Sequence, residues 1–329
     1  MDDFAVVEQH IAALSDQLEA SLERERLFRE DFSRRLSQEL RDYIDHRLRH
    51  WISSRGCIAL PEGAKIFTHT TDGHRILLDP TEPFISFHVM EHGNWEEPVR
   101  KVLSNLLRDG EHYIDVGANI GLHVLYASSL VGKSGKIIAL EPHPTTAAIL
   151  RQNLEINGLL DRVHIFQMAA SSTHEEIRIF EYFPQHSAMS GFSLAKQRIE
   201  QFRGTPIRVE VNTVRIDRIT MHEQTAHTVI KIDVEGFEKD VINGAGYLLD
   251  NPNTSMIIEF DAALMDMVLG DETAKNLFLY LVDRGFSAFG ISEEGLYQVT
   301  NLESIIDNDV LFTKPESEHY QRVQPIVRR

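Results

Sequence analysis

The stretch Asp115-Val116-Gly117-Ala118-Asn119-Ile120-Gly121 decides the fold. Tyr113-Ile114-Asp115-Val116 is an apolar strand run, and helical spacing begins at Ile120, so the two glycines fall on a strand-to-helix turn. Without a Cβ, backbone at such a turn can approach a bound nucleotide-type cofactor closely. A dinucleotide fingerprint would need three glycines spaced G-x-G-x-x-G and a pyrophosphate over the helix N-terminus. Here Gly117 and Gly121 stand with Asp115, which places a carboxylate beside the turn.

Negative charge at that position suits a cationic ligand. S-adenosylmethionine carries a sulfonium and an ammonium and no phosphate, so Asp115 favours it over NAD. A second element agrees. Glu141 ends the next strand, Lys136-Ile137-Ile138-Ala139-Leu140, where an acidic side chain can accept hydrogen bonds from both hydroxyls of an adenosine ribose. Pro142 and Pro144 stiffen the turn that follows and hold the carboxylate at the C-terminal edge of the sheet.

Working outward, strand and helix patterns alternate. A helix is expected from Thr145 to Asn157, then a strand at Val163-His164-Ile165-Phe166, and after a gap Val229-Ile230-Lys231-Ile232-Asp233. A helix from Phe237 to Leu249 follows, then Met256-Ile257-Ile258-Glu259, a helix around Ala274 to Asp283, Phe286-Ser287-Ala288-Phe289 and Val310-Leu311-Phe312. Alternation of this kind predicts an α/β domain with a seven-stranded, mostly parallel, Rossmann-like sheet. The rhythm breaks between Thr173 and Thr220. There two β-like stretches, at Ile177 to Phe180 and Ile207 to Val211, flank a polar segment containing His186, Ser190, Gly191 and Phe192, expected to be an acceptor-recognition loop or lid.

Upstream, residues 3–53 contain neither Gly nor Pro, and apolar residues recur every three or four positions from Val7 to Trp51. This predicts a long N-terminal amphipathic helix, with the choice between docking on the enzyme and homo-oligomerisation as a coiled coil left open. The expected organisation is a helical extension over 1–55, a small β-rich connector and helix over 56–110, the catalytic domain over 111–315 and a tail over 316–329. The 33 Lys and Arg against 50 Asp and Glu give a formal charge of −17, which argues against nucleic acid as a partner. One cysteine, Cys57, rules out an intramolecular disulfide. With no apolar run long enough to cross a bilayer and no signal-peptide pattern at Met1-Asp2-Asp3, the expected location is the cytoplasm.

The quoted turn, Glu141-Pro142-His143-Pro144, Asn153-Leu154 with Asn157-Gly158-Leu159, and Ile230-Lys231-Ile232-Asp233-Val234-Glu235-Gly236-Phe237-Glu238 together resemble the FkbM-type branch of class I methyltransferases. The resemblance runs from about residue 95 to residue 312 and is carried by the combination of the first turn with Lys231 to Gly236. It implies that Asp115, Gly117, Asn119 and Gly121 surround the methionine part of S-adenosylmethionine, Glu141 the ribose, and Met168-Ala169 the adenine edge. An aromatic-Glu pair ahead of the first strand, here Trp95-Glu96, is implied as a wall of the cofactor pocket. Many members have an aromatic residue after the last glycine of the turn, where this chain has Leu122-His123.

The implied reaction is O-methylation of a hydroxyl on a small molecule or a glycan. Asp233 and Glu235, just past the fourth strand, and Glu259, ending the fifth, come to the same rim as the cofactor. Methyl transfer to a hydroxyl benefits from a carboxylate that orients or removes its proton, so Asp233 or Glu235 is the expected base, with His123 a further candidate. Asp233, Glu235 and Glu259 are also the candidates for a divalent metal, which is not expected. The competing readings are an inactive methyltransferase-like scaffold acting through its N-terminal helix, and a methyltransferase of proteins or lipids.

Overall fold

The computed structural model describes residues 58, 59, 65–80, 82–183, 186–192, 205–220 and 227–328. The long helix expected over 1–55, with its coiled coil and self-association, lies outside the described residues.

Three short antiparallel strands come first, β1 (Ile58–Ala59), β2 (Ile66–His69) and β3 (Arg75–Leu78), the last two joined through the turn at Thr71-Asp72-Gly73. Helices α1 (Pro83–His92) and α2 (Glu97–Leu106) follow. The turn signals around Pro80 conceal α1 in the sequence; Glu82 caps it, accepting from Ile85 N. The main sheet then begins with β4 (His112–Val116), α3 (Leu122–Leu130), β5 (Lys136–Leu140), α4 (Pro144–Ile156) and β6 (Val163–Phe166). A separate four-stranded sheet, in the order β7-β10-β8-β9, is built from β7 (Ala169–Ala170), β8 (Ile177–Phe183), β9 (His186–Gly191) and β10 (Ile207–Val214). After α5 (Ile216–Ile219), the main sheet resumes with β11 (Thr228–Ile232), α6 (Glu238–Asn243), α7 (Gly246–Asp250), β12 (Thr254–Glu259), α8 (Ala262–Leu269) and α9 (Thr273–Asp283). It ends with β13 (Ser287–Ser292), β14 (Gly295–Val299) and β15 (Asp309–Thr313), followed by helix α10 (Glu318–Val323).

The strand order is β14-β13-β15-β12-β11-β4-β5-β6. Five neighbours from β6 to β12 run parallel, and β15 is antiparallel to both β12 and β13. Because helices cover both faces of a parallel sheet, its strands are continuous apolar runs; every residue of β11 is buried. The chain moves outward from β4 to β6 and then returns to β11 on the other side of β4. That reversal opens a crevice at the carboxyl ends of β4 and β11, where open α/β sheets bind ligands.

The structure corrects two expectations. The sheet has eight strands, not seven: β14 is an added edge strand paired with β13, with Ser292 opposite Gly295 across the Glu293-Glu294 loop. A pair of glutamates is not one of the sequence signals for a tight hairpin, so the strand is hidden. The helix expected from Phe237 to Leu249 is two helices, α6 and α7, broken at Gly244-Ala245. A Cβ on Gly244 would lie 2.1 Å from Ser171 O, so a close crossing of backbones occupies the break.

Candidate active site

The motif turn is stitched to the strands on either side of it. Gly117 N and Ala118 N donate to Leu140 O at 3.0 and 2.9 Å, and Asp233 N donates to Val116 O at 3.0 Å. Gly117 has φ of 85°, and a Cβ there would come within 1.9 Å of Asp233 O, so backbone conformation and space both demand glycine. Gly121 caps α3 at φ of 91° and packs on Leu150 of α4, where a Cβ would lie 2.5 Å from Cδ1.

A cleft of about 190 Å³ opens above this turn. Its wall includes Glu96, Gly117, Asn119, His123, Glu141, Ala169, Asp233, Glu235 and Glu259. Of the residues singled out in the sequence, these nine are brought together. Asp115 and Gly121 stand behind the wall: Asp115 is 1% exposed, and its Oδ2 has no hydrogen-bond partner. Three wall residues that are not glycine, Glu96, Asn119 and Glu235, hold φ of 48°, 48° and 55°, a left-handed conformation that carries strain in L-residues.

Glu141 is 6% exposed and receives two backbone N–H groups: Asn119 N donates to Oε2 at 2.9 Å and His143 N to Oε1 at 2.8 Å. Burial nevertheless raises its pKa to about 7. Each carboxylate oxygen keeps a lone pair for a further donor. Met168 and Ala169, at the start of β7, face the cleft beside Pro142 and Phe180. Phe192, just past β9, packs edge-on against both Phe180 and Phe237, at centroid distances of 5.7 and 5.1 Å. The lid segment is therefore partly a hairpin; residues 184–185 and 193–204 lie outside the described residues.

On the opposite wall a charged group is centred on Lys231, to which the sequence assigned no role. Its Nζ donates to Asp233 Oδ2 at 2.8 Å and stands 3.5 Å from Glu96 Oε2, while His123 Nε2 is 2.8 Å from the same Glu96 oxygen. Burial opposes ionisation of Glu96, but the Lys231 charge and the His123 bond hold it well below the ordinary carboxylate range. Lys231 itself, 3% exposed, is penalised by burial, yet the charges of Asp233 and Glu96 raise its pKa well above the ordinary lysine value. The signal that could have revealed it is plain in retrospect: a lysine in an otherwise apolar central strand needs a buried anionic partner.

Asp233, Glu235 and Glu259 bring carboxylate oxygens within 4.8 Å of one another. The Asp233 charge, followed by burial, pushes Glu259 up to about 11, so it holds its proton at neutral pH. Glu238, also unassigned in the sequence, closes the turn from below. Val234 N and Gly236 N both donate to its Oε1 at 3.2 Å, and burial raises its pKa to about 7.

Residues 115–288 match the family described as Methyltransferase FkbM domain. Methyltransferase 1 of Beauveria bassiana (strain ARSEF 2860) is 25% identical over 190 residues, covering 54% of this chain and 73% of that protein. The 31-O-demethyl-FK506 methyltransferase FkbM of Streptomyces tacrolimicus is 30% identical over 161 residues, covering 42% of this chain and 60% of that enzyme. Among solved structures, Methyltransferase FkbM from Methylobacillus flagellatus KT is similar with a TM-score of 0.39 and 15% identity, covering 71% of this chain and 55% of that one. The chain thus spans less than two thirds of the Streptomyces enzyme and of the Methylobacillus chain.

Proposed function

Because the chain belongs to the FkbM methyltransferase family, we propose that this S-adenosylmethionine-dependent methyltransferase acts on a hydroxyl oxygen of a small molecule or a glycan. The name of the Streptomyces relative specifies a 31-O-demethyl acceptor for that enzyme, which supports oxygen as the atom methylated here. When bound, S-adenosylmethionine supplies a methyl group on a sulfonium, activated for in-line displacement. The acidic cleft fits such a cation, and the orphaned, buried Oδ2 of Asp115 is a polar atom still lacking a partner.

In this reading Glu141 takes the ribose hydroxyls on its remaining lone pairs, and Met168 and Ala169 face the adenine. Glu96, with Asp115 behind it, meets the ammonium. Gly117 and Asn119 let backbone approach the methionine part, while Gly121 seats α3 against α4. His123, whose Nε2 faces Glu96, braces that carboxylate.

The observation that carries the reaction type is the placement of Asp233. Its carboxylate lies on the cleft wall, oriented by Lys231 at 2.8 Å and flanked by Glu259, which already holds a proton. In this reading Asp233 accepts the acceptor hydroxyl's proton as the methyl group is transferred. Glu235, on the same wall, orients the acceptor. Metal-assisted deprotonation is the second reading, supported by the closeness of the three carboxylates. We favour the base because the Lys231 ammonium already supplies a cation beside Asp233.

Incubation with methyl-¹³C S-adenosylmethionine and a panel of sugar and macrocycle acceptors tests the reading. The labelled methyl should be bonded to oxygen, and Asp233→Asn should lower turnover by roughly 10²–10⁴-fold while S-adenosylhomocysteine still binds. A methylated nitrogen or carbon would overturn it.

A further inference from the structure

Beside the cofactor cleft lies a second cavity of about 270 Å³, just under the roughly 300–1,000 Å³ that small-molecule sites occupy and large enough for a single ring. It is walled by the N-terminal ends of α1 and α4 and by strands β8 and β10, and shares Ile85, Asn119 and Ile120 with the cleft. Two of its wall residues are almost wholly buried and each keeps one polar atom without a partner among the described residues: Glu82, 5% exposed, at Oε1, and His143, 4% exposed, at Nε2.

Their hydrogen-bonding roles are complementary. Glu82 Oε2 accepts from Ile85 N at 3.0 Å, capping α1, which leaves Oε1 as a free acceptor. His143 Nδ1 accepts from Thr146 N at 3.1 Å and contacts Thr146 Oγ1 at 2.9 Å, capping α4. A neutral imidazole that accepts at Nδ1 carries its hydrogen on Nε2, so His143 presents a free donor. Burial depresses its pKa to about 4 and keeps the ring neutral. The Tyr182 ring braces it edge to face at 4.0 Å, and Ile85, Ile149 and Ile207 supply apolar wall.

We propose that this cavity is a subsite for a neutral polyhydroxylated ring, the non-reacting part of the acceptor. A ring hydroxyl both accepts and donates, which matches the His143 N–H and the Glu82 oxygen, while the isoleucines and Tyr182 cover the ring's C–H faces. Among the described residues, the wall offers a phosphate or carboxylate ligand no lysine or arginine to offset Glu82. An ammonium could pair with Glu82, Asp79 on the same wall being held already by Lys65 at 2.6 Å, but it would confront the His143 N–H donor to donor and leave it unpaired. An apolar ligand would leave both buried polar atoms unpaired. The proposal rests on reading the neighbouring cleft as an O-methylating site.

The test is saturation-transfer NMR of D-glucose, D-galactose, L-rhamnose and myo-inositol, each titrated against the protein with and without S-adenosylhomocysteine. Two variants remove one partner each and preserve the helix caps: Glu82→Gln keeps an amide oxygen for Ile85 N, and His143→Asn keeps an acceptor for Thr146 N. At least one probe should show saturable transfer, and both variants should weaken it roughly tenfold or more, with S-adenosylhomocysteine affinity changed less than about twofold. Absence of transfer from all four probes, or transfer that both variants leave intact, overturns the subsite. If a core variant fails to fold, Ile207→Lys, at an exposed position on the cavity wall, makes the same test. Failure of the wild type to bind S-adenosylhomocysteine would instead overturn the reading of the cleft, and the titration without it still decides the subsite.

Discussion

Lys231 Nζ lies 2.8 Å from Asp233 Oδ2, two residues on, and this bond joins the end of the central strand to the wall of the cleft. Removing the cation leaves Asp233 and Glu96 as half-buried carboxylates without their counter-charge. Lys231→Met should therefore cost about 1–3 kcal/mol in stability, less than the roughly 3–5 kcal/mol of a fully buried pair broken from one side, because water reaches the carboxylates left behind. It should also shift the acid limb of the pH–activity profile upward, because Glu96, whose carboxyl the Lys231 charge holds low, takes up a proton more readily without it. Chemical denaturation and a pH profile of kcat check both; an unchanged acid limb would separate Lys231 from the chemistry.

Glu259 gives a prediction of opposite electrostatic sign. Its folded pKa is pushed up to about 11 by the Asp233 charge and by burial, from an ordinary 4.5. Between those values the folded protein binds a proton that the unfolded chain has lost, so this residue's contribution to stability falls as pH rises. Glu259→Gln replaces the protonated acid with a neutral group of the same shape. The variant should match the wild type near pH 4.5 and become progressively more stable than it towards pH 9. Urea midpoints at several pH values give the comparison, and parallel pH dependences in the two proteins would contradict it.

Cofactor binding should be linked to a proton through Glu141. Burial holds its pKa at about 7, and ribose hydroxyls donating to it would favour the ionised form. S-adenosylhomocysteine affinity should then rise with pH through 7, and calorimetry in buffers of different ionisation enthalpy at pH 6.5 should register release of a fraction of a proton. In Glu141→Gln the release should vanish. Glu238 and Asp309 are also raised to about 7, so loss of the effect in the Glu141 variant is what assigns it.

How much of this was legible in the sequence follows from which interactions are local. The parallel strands betray themselves because burial on both faces makes them continuous apolar runs, and the motif turn because Gly117 must clear Asp233 O. The resemblance carried Glu96 to the cleft. The break at Gly244 answers to Ser171, distant in sequence, whereas β14 pairs with its neighbour β13 across a Glu293-Glu294 loop that lacks turn residues, and α1 is masked by the turn signals around Pro80. The cavity of Glu82 and His143 needs α1, α4 and the second sheet to exist. Lys231 was visible as an anomaly in its strand, but its partners Glu96 and Asp233 lie on separate elements, and only the fold shows that it serves both.

Asn153 shows how a recognisable motif residue can serve architecture. It is fully buried on α4, where its Oδ1 accepts from Leu77 N at 2.7 Å and its Nδ2 donates to Leu77 O at 3.3 Å and to Ile120 O at 2.9 Å. One turn on, Asn157 does the same for Arg75, accepting from its N at 2.9 Å and donating to its O at 2.7 Å. Together the two amides satisfy the edge of β3 as a neighbouring strand would, and Asn153 also ties that strand to the motif turn through Ile120. Asn153→Leu fills similar space but strands the Leu77 N–H and the Ile120 carbonyl in the interior, at about 1–3 kcal/mol for each buried group left unpaired. The variant should lose roughly 2–5 kcal/mol of stability on that basis, and because Ile120 borders the cofactor cleft, S-adenosylhomocysteine should bind more weakly as well. Asn157→Ala, at a more exposed position, should lose about 1 kcal/mol and leave binding unchanged. Equal losses of stability from the two variants would mean that the link from Asn153 to the motif turn contributes nothing beyond the bonds that both amides make to β3.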